Sequence, residues 1–430
     1  MTDKTRNTRN TRTNRTPRTP RMAAFDVPPT AGLPLLKSDL GWRGDADLAG
    51  ALARFIGAPE VLLECSGTAS LVIALTAVSR LSPRRRTVVV PAYTCPLVAL
   101  AVARCGLKLA LCDLLPQSLD LDPAALAALC GPDTLAVLPT HLGGRVSDVA
   151  RVRILARAVG AWVIEDAAQA LGARVGRRSV GLDSDIAFFS LAVGKGLTIF
   201  EGGVLLARDA TLRQKLREVS AELAPRQLGW ELRRSAELLG YAALYRPSGL
   251  RRAYGDPLRR DLARGDRVAA AGDDFDTDIP LHAVGRWRRA VGVRALARLP
   301  AFLASAAERG RRRAARLSAI PGLRVLGDSP AVTGAAGSWP ALMVLMPDAA
   351  SREAAIGQLW GAGCGVSLPF VHALADYERY AGVVPAAAPG MLPNARDLAC
   401  RVLAVSNSHW LDETRFEQVC RALGSAASAA

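Results

Sequence analysis

Short apolar runs rich in β-branched residues alternate with helical patterns between Thr87 and Arg208. Continuous apolar strands with helices between them are typical of a parallel sheet that is covered on both faces. Prolines and basic residues interrupt the most apolar stretch, from Val88 to Leu115, which indicates strand, loop, helix and strand rather than a membrane span. The pattern predicts six strands, in the runs TVVVPAY, LALCDL, TLAVLPTH, AWVIEDA, DIAFFSL and GGVLLAR.

The rest of the chain divides by pattern. Residues 209–274 carry Leu, Ala and Arg at helical spacing, which predicts a helical insertion in a large domain of residues 25–298. We expect this insertion to pack on the body or on a partner subunit; docking on a membrane surface is the alternative. Residues 299–424 alternate helical and strand-like pieces and predict a small α+β domain, followed by a tail of residues 425–430.

Charge does not indicate a nucleic-acid-binding protein. The net charge is +16, but seven basic residues fall in the first 21, where Arg recurs between Thr and Asn with nothing apolar. Residues 1–24 are therefore predicted to be a disordered basic tail, either a true arm or the product of a start assigned upstream of Met22. In the body the arginines are scattered with few aromatics among them, unlike a nucleic-acid interface.

The eight cysteines show no CxxC pair and no zinc-ligand spacing. Several lie in apolar runs, where Cys behaves as a small hydrophobic side chain. The N-terminus is polar where a secretory signal would require an apolar segment, so no secretory signal is predicted. These features predict a reducing, cytoplasmic environment and no metal site.

Lys195 is the residue most indicative of chemistry. It is one of five lysines and lies between Gly194 and Gly196, shortly after the strand run DIAFFS. A lysine in such a tight loop is not part of a solvated helix face, so a catalytic amine is the leading interpretation. Asp166 ends the run AWVIED at a strand end, where open α/β sheets bind ligands; the alternative is a helix cap.

Pyridoxal phosphate (PLP) requires a lysine, a carboxylate for its ring nitrogen, a phosphate cradle and a plate against the ring. The segment CSGTAS precedes an apolar helix, and free N–H groups at a helix N-terminus favour an anion. A plain N-cap explains this segment equally well. Ser190, at the end of DIAFFS, could add a second hydroxyl.

The joint motifs SGTA, EDAAQ, and FFS followed by Lys195 and EGG resemble the DegT/DnrJ/EryC1/StrS family of sugar aminotransferases. The resemblance runs from about Leu33 to Leu423. It implies a fold type I PLP-dependent transferase, with a large α/β/α domain of mostly parallel sheet and a small C-terminal α+β domain. It also implies a homodimer.

Carried over by motif, the resemblance makes Lys195 the Schiff-base lysine and Asp166 the partner of the pyridine nitrogen. Other family roles fall on further residues of this chain: Gln169 near the ring hydroxyl; Gly67, Thr68, Ala69 and Ser190 at the phosphate; and Tyr93 stacked on the ring. His141 stands where the family has a histidine, as a structural imidazole or a substrate contact. The 209–274 insertion, without site motifs, is expected to contact a partner rather than the cofactor.

By this resemblance, an amino group passes from an amino acid such as glutamate to a keto group of a nucleotide-linked sugar, in amino-sugar, polysaccharide or natural-product biosynthesis. The alternatives are a non-sugar substrate and a non-catalytic regulatory or scaffold protein. Dehydratases of the family have histidine in place of Lys195. Two features depart from the family: Gly196 follows the lysine instead of Asn, and the G-x-N-x-R/K-like segment lacks its asparagine, which Arg286 or Arg288 could replace.

Overall fold

The computed structural model describes residues 25–428, so the predicted tail of residues 1–24 lies outside the described residues. Fourteen strands are described in this part of the chain. In chain order they are β1 Leu62–Glu64, β2 Thr87–Pro91, β3 Lys108–Cys112, β4 Thr134–Val137, β5 Trp162–Asp166, β6 Arg174–Val175, β7 Arg178–Ser179, β8 Ile186–Ser190, β9 Gly203–Ala207, β10 Arg324–Leu326, β11 Ala335–Ala336, β12 Ala341–Leu345, β13 Val366–Ser367 and β14 Val402–Ser406.

Fifteen α-helices accompany these strands within residues 25–428. They are α1 Leu48–Ile56, α2 Gly67–Leu81, α3 Pro96–Arg104, α4 Pro123–Leu129, α5 Val149–Ala158, α6 Ala210–Leu223, α7 Leu228–Leu244, α8 Pro247–Leu250, α9 Asp256–Ala263, α10 Arg267–Ala271, α11 Arg286–Leu296, α12 Leu299–Ser318, α13 Ala349–Leu359, α14 Pro393–Arg401 and α15 Glu413–Ser428.

A seven-stranded sheet in the order β1-β9-β8-β5-β4-β2-β3 forms the centre of the molecule. The strands from β8 to β3 are parallel, while β9 and β1 pair antiparallel at one edge. All six runs predicted as strands are strands of this sheet. The prediction of a mostly parallel α/β fold is confirmed.

Helices cover both faces of this sheet because its strands are apolar on both faces. Val88 and Val90 of β2 pack in the cluster that contains the side chains of α2 and α3. Val89, between them, points to the other face and packs with residues of α4 and α5. This alternation with a period of two follows from strand geometry. It explains why the run VVV is buried throughout.

Beyond residue 298, a second sheet in the order β10-β12-β14-β13 is antiparallel throughout. α13 and α15 pack against each other beside it. The last helix continues to Ser428, so residues 425–428 are helical and not part of a tail as predicted. The β6–β7 hairpin pairs with β11 in a small third sheet.

Residues 209–274 are helical, as predicted, from α6 through α10. α6 packs on α2, and α7 contacts α11. Arg288 of α11 is fully buried and ties these last two helices together, because its guanidinium donates to the Glu231 carboxylate of α7 at 2.7 Å. Within residues 25–428 no single helix is long and apolar enough to cross a membrane; α11 and α12, bent by 55°, meet the length and composition criteria only as a pair.

Candidate active site

Strands β2, β4, β5 and β8 are parallel neighbours, so their carboxyl ends meet at one edge of the central sheet. A pocket of about 610 Å³ opens at this edge, and residues from β12 and from the loop after β13 close its other side. Ligands of open α/β sheets bind at such edges. Six of the residues predicted from the sequence line the pocket: Gly67, Thr68, Asp166, Gln169, Ser190 and Lys195.

Lys195 is held in the loop between β8 and β9 by two glycines in left-handed conformations. Gly194 has φ of 79° and Gly196 has φ of 85°. A Cβ atom at Gly194 would lie 2.2 Å from Thr30 Oγ1, so only glycine fits there. Burial lowers the pKa of the Lys195 amine, an effect that Cys95 and Asp166 partly oppose. The loop therefore presents an amine that loses its proton more readily than a surface lysine does.

Asp166 lies at the end of β5 and is 5% exposed. Its Oδ1 accepts a hydrogen bond from the Ala168 N–H at 3.0 Å. Burial raises the pKa of the carboxyl, and the Ala168 N–H, Lys195 and His141 counteract this shift. The second carboxylate oxygen is left for another donor, and the pocket lies beside it.

The N-terminus of α2 and the end of β8 bring hydroxyl-bearing residues to the same pocket. The hydroxyls of Ser66, Thr68 and Ser190 belong to residues that line it. A Cβ atom at Gly67 would lie 3.2 Å from Ser190 Cβ, so a side chain at position 67 would crowd this corner. Ala69 does not line the pocket. Its N–H donates to Ser66 Oγ at 3.0 Å, so it is not free for the phosphate contact predicted for Ala69.

A hydrogen bond from the backbone orients the side chain of Gln169. Its Oε1 accepts a hydrogen bond from the Gly143 N–H at 2.7 Å. The amide NH₂ is then the group that remains for a ligand in the pocket. This placement suits the contact with a ring hydroxyl that the resemblance implies.

Tyr93 is not brought to the pocket, which contradicts its predicted stacking role. Its side chain points to the same face as Val89 and packs edge-on against Phe370, with ring centroids 5.7 Å apart. Its hydroxyl donates to the Phe370 carbonyl at 3.0 Å. Cys95 lines the pocket instead, and burial raises the pKa of its thiol to about 12. The alternation of side chains after β2 therefore makes Tyr93 a buried structural aromatic.

His141 lines the pocket, but both of its ring nitrogens are used within the protein. Its Nε2 lies 2.7 Å from Glu165 Oε1, and its Nδ1 accepts from the Ser147 N–H at 3.0 Å. A nitrogen that accepts from a backbone amide carries no proton, so Nε2 carries it and donates to Glu165. Of the two roles that the sequence leaves open, these contacts favour the structural one.

Asp273 is a pocket residue that the sequence analysis did not identify. It is 2% exposed, and its Oδ2 accepts from the Tyr377 hydroxyl at 2.5 Å and from the Val371 N–H at 2.9 Å. Burial, opposed by these two donors, raises the pKa of its carboxyl to about 6. Residues 270–273 all line the pocket, so the expectation that segment 209–274 stays away from the site is wrong at its C-terminal end. The acidic run DDFDTD was the available signal.

Arg288 does not replace the family's missing asparagine. Its donors are used by Glu231 and by the Glu201 carbonyl, which accepts at 2.7 Å. Arg286, by contrast, is exposed at the start of α11. The proposed substitution is therefore wrong for Arg288, because α11 turns this side chain into the body of the protein.

Lys195, Asp166 and the hydroxyl-bearing residues Ser66, Thr68 and Ser190 thus line one pocket. All of them lie in the part of the chain that the sequence motifs cover. Residues 39–241 match the model of the DegT/DnrJ/EryC1/StrS aminotransferase family. Over these residues, a little under half of the chain, the sequence is similar to that family. The family segment includes every predicted site residue, while the predicted resemblance extends further, to Leu423.

Curated relatives match the same part of the chain. Protein MosB of Rhizobium meliloti is 39% identical over 168 residues, which are 39% of this chain and 33% of MosB. GDP-perosamine synthase of Caulobacter vibrioides is 36% identical over 39% of this chain and 44% of its own length. L-glutamine:2-deoxy-scyllo-inosose aminotransferase of Micromonospora echinospora is 34% identical over 45% and 47%, respectively. The chain thus spans less than half the length of these relatives.

Solved structures resemble nearly the whole chain. The aminotransferase TlmJ from Streptoalloteichus hindustanus superposes with a TM-score of 0.70, over 95% of this chain and 99% of TlmJ, at 22% sequence identity. At this identity the likeness establishes the fold. The fold type I architecture predicted from the DegT/DnrJ/EryC1/StrS motifs is confirmed.

Proposed function

We propose that this protein is a PLP-dependent aminotransferase that transfers an amino group from an amino acid, such as glutamate, to a keto group of a sugar or sugar-like ring. One observation carries the proposal: a lysine with a lowered pKa and a buried carboxylate share a pocket whose rim includes the N-terminus of a 15-residue helix. A scaffold protein would not need this combination. The family match over residues 39–241 supports the same reading.

The residues of the pocket fit PLP. The N-terminus of α2, with Ser66, Thr68 and Ser190, offers hydroxyl and N–H donors where Gly67 leaves room for a phosphate. Asp166 would hold the pyridine nitrogen, Gln169 would donate to the ring hydroxyl, and Lys195 would hold the cofactor covalently. PLP supplies an electron sink for the bond changes at the amino-bearing carbon.

Lys195 and Asp166 divide the work of the reaction between them. The lowered pKa of Lys195 keeps a share of its amine unprotonated, so that it can take a proton from the substrate carbon and return it to a neighbouring position. Asp166 would hold the proton on the ring nitrogen of bound PLP through a charge-assisted hydrogen bond. His141 and Glu165 stay outside this exchange, because they hydrogen-bond to each other and to backbone amides.

The acceptor class is proposed from the relatives. Their names specify GDP-perosamine and 2-deoxy-scyllo-inosose, which are a nucleotide-linked sugar and a cyclic polyol. GDP-perosamine is the aminated product of its synthase, whereas 2-deoxy-scyllo-inosose is a ketone that accepts the amino group, and in both the reacting carbon belongs to a hydroxylated ring. The nucleotide-linked sugar expected from the sequence is therefore one of two proposed classes of acceptor, and the cyclic polyol is the other.

We also propose a cytoplasmic homodimer. The eight cysteines are free thiols, as a reducing compartment would keep them. Helix α7 exposes Leu228, Leu232 and Leu239, which stand four and seven positions apart and so share one helix face. An apolar face of this kind suits contact with a second copy of the chain.

The test of the proposed function is spectroscopic. The protein purified with PLP should show the absorbance of a lysine-bound cofactor, and glutamate or glutamine should convert it to the pyridoxamine form. Borohydride reduction followed by peptide mapping should place the label on Lys195. A colourless protein that takes up no PLP would rule the proposal out.

A further inference from the structure

A second cleft, of about 510 Å³, lies at the edge of the central sheet opposite the pocket that contains Lys195. Ala207 of β9 pairs with Ile186 at the start of β8, whereas Ser190 at the other end of β8 lines that pocket. The two cavities therefore lie at opposite ends of the same strands. Residues of three segments line the cleft: 54–59 at the end of α1, 174–182 around the β6–β7 hairpin, and 206–208 at the end of β9.

Arginine is concentrated in this cleft beyond its share of the chain. The 50 arginines among the 430 residues would place about one or two among the 13 residues that line the cleft. Five are found there: Arg54, Arg174, Arg177, Arg178 and Arg208. No Asp or Glu of the described residues lines it. The cleft therefore carries a concentrated positive charge.

The walls of the cleft are held in place by contacts within the protein. Arg174 donates to the Phe55 carbonyl at 3.3 Å and so joins the β6–β7 hairpin to the end of α1. After the hairpin, the Gly181 N–H donates to the buried carboxylate of Glu165 at 2.6 Å. β1 and β9 pair directly, which fixes the third segment. The cleft is thus built on regular elements and their direct connections.

Three of its arginines have no partner in the protein. Arg178 forms an ion pair with Asp183 at 3.2 Å. By contrast, the exposed side chains of Arg54, Arg177 and Arg208 form no hydrogen bond and no ion pair with any residue between 25 and 428. Positive charges that share a cleft repel one another, and an anion bound between them relieves the repulsion. These three guanidinium groups are available to an anion from outside the chain.

The chemistry of the walls indicates which anion fits. Guanidinium groups bind phosphate oxygens with pairs of parallel hydrogen bonds, and three uncompensated groups suit a ligand with more than one phosphate. Phe55, Pro59 and Leu182 also line the cleft, and none of them is fully buried, so apolar surface remains for an organic group. The volume of the cleft is in the usual range of small-ligand sites, about 300–1,000 Å³.

We propose that this cleft binds a diphosphate group, carried by a nucleotide or present as an inorganic polyphosphate, and that Arg54, Arg177 and Arg208 hold it. The site is separate from the proposed PLP site, because the two cavities share none of their described lining residues. It is also separate from the proposed dimer contact, since no residue of α7 lines it. The inference therefore does not depend on the aminotransferase activity.

Calorimetric titration of the full chain with inorganic pyrophosphate and with ADP tests the inference. We expect both probes to bind at low salt, with affinities that fall as salt is added. ADP should bind more tightly, because its nucleoside can cover the apolar part of the wall. Tighter binding of ADP identifies a nucleotide as the ligand, and equal or weaker binding identifies an inorganic polyphosphate; both outcomes support a diphosphate site.

The triple variant Arg54→Gln/Arg177→Gln/Arg208→Gln locates the binding. It should fold like the unchanged chain, because the three side chains contact no partner, and its affinity for both probes should fall at least about tenfold. A matched control, Arg43→Gln/Arg252→Gln/Arg311→Gln, removes the same charge from three exposed arginines that do not line the cleft. The control should bind both probes like the unchanged chain.

Three results would overturn the inference. Neither probe binds the unchanged chain at low salt; the cleft variant retains the affinity, which would place the phosphates elsewhere, such as at the N-terminus of α2; or the control loses as much affinity as the cleft variant, which would show only a general effect of net charge. Sedimentation of the cleft variant supplies a further check. A mass below that of the unchanged chain would mean that the arginines lie in a contact between copies, and would also overturn the inference.

Discussion

Lys195 owes its position to residues that do no chemistry. The left-handed glycines on either side turn the backbone twice within three residues, and Thr30 packs against the first of them. Burial of the amine in this loop lowers its pKa. The chemistry proposed for Lys195 is therefore a property of the loop as much as of the lysine.

Replacement of Lys195 by Ala should remove the covalent attachment of PLP, while Asp166 and the α2 hydroxyls could still bind the cofactor noncovalently. Multiple turnover should fall by at least about 10²–10⁴-fold, the usual contribution of a general acid/base group. Absorbance after dialysis and mass spectrometry after borohydride reduction measure the attachment.

Lys108→Ala and Lys215→Ala are the matched controls, because neither residue lines the pocket. Both variants should keep the colour and the activity of the unchanged chain. A Lys195→Ala protein that still carries borohydride-fixed cofactor after denaturation would show that the attachment lies elsewhere.

Replacement of Asp166 by Asn should leave the fold intact, because the amide oxygen can still accept from the Ala168 N–H. It should lower the rate of the donor half-reaction by about 10²–10³-fold, as for the loss of other preorganised electrostatic contacts. Stopped-flow absorbance measures this step directly. A near-normal rate would mean that Asp166 serves only to cap the turn after β5.

Residues whose positions depend on local motifs were predictable from the sequence. Asp166 and Ser190 end strands, and Gln169 and Lys195 follow the same two strands within five residues, so the strand pattern placed all four at one edge. Tyr93 was misjudged because its direction depends on alternation along β2, which leads its ring to Phe370. The acidic run DDFDTD was a signal for Asp273 but did not give its place in the pocket, because its two hydrogen-bond donors lie about a hundred residues further along the chain.

At the level of elements, the six predicted strands were found where the pattern indicated them, and residues 299–424 alternate helices and strands as predicted. The β6–β7 hairpin was missed because two-residue strands give no periodicity. β14 was missed as well, although VLAVS is apolar throughout, since a short apolar run does not distinguish a strand from a buried helix.

The contact between the end of segment 209–274 and the loop after β13 should respond to pH. Burial raises the pKa of Asp273 from 3.8 to about 6, so the folded protein binds this proton more tightly than the unfolded chain does. Stability from this group is therefore lost as the pH rises from about 4 through 6, by on the order of 3 kcal/mol.

Asp273→Asn keeps an oxygen for the Tyr377 hydroxyl and stays neutral at every pH. As the pH rises from 4 to 7, the free energy of unfolding of the variant should increase relative to that of the unchanged chain. Urea titrations of both proteins measure this difference. Asp45→Asn, at an exposed site, should show no such trend. Parallel curves for the Asp273 variant and the unchanged chain would contradict the expectation.

At the scale of the whole molecule, the exposed leucines of α7 are proposed to meet a second copy of the chain. Leu228→Glu/Leu232→Glu should shift the protein from dimer to monomer in analytical ultracentrifugation, since charged side chains at the centre of an interface are unfavourable. Ile154→Glu is the control, because Ile154 is 69% exposed on a different helix, α5. A variant of unchanged mass would remove α7 from the interface.

The buried ion pair of Arg288 affects the local unfolding of α7. If α7 detached, the Arg288 guanidinium of α11 would stay buried without the Glu231 carboxylate. Removal of one partner from a buried ion pair costs about 3–5 kcal/mol. α7 should therefore not fray independently, despite its exposed leucines. Its amide protons should exchange with solvent together with those of α11, in the slow cooperative openings that also expose the sheet. Proteases that cleave partially unfolded segments would then find few cleavage sites in α7, despite its exposed leucines.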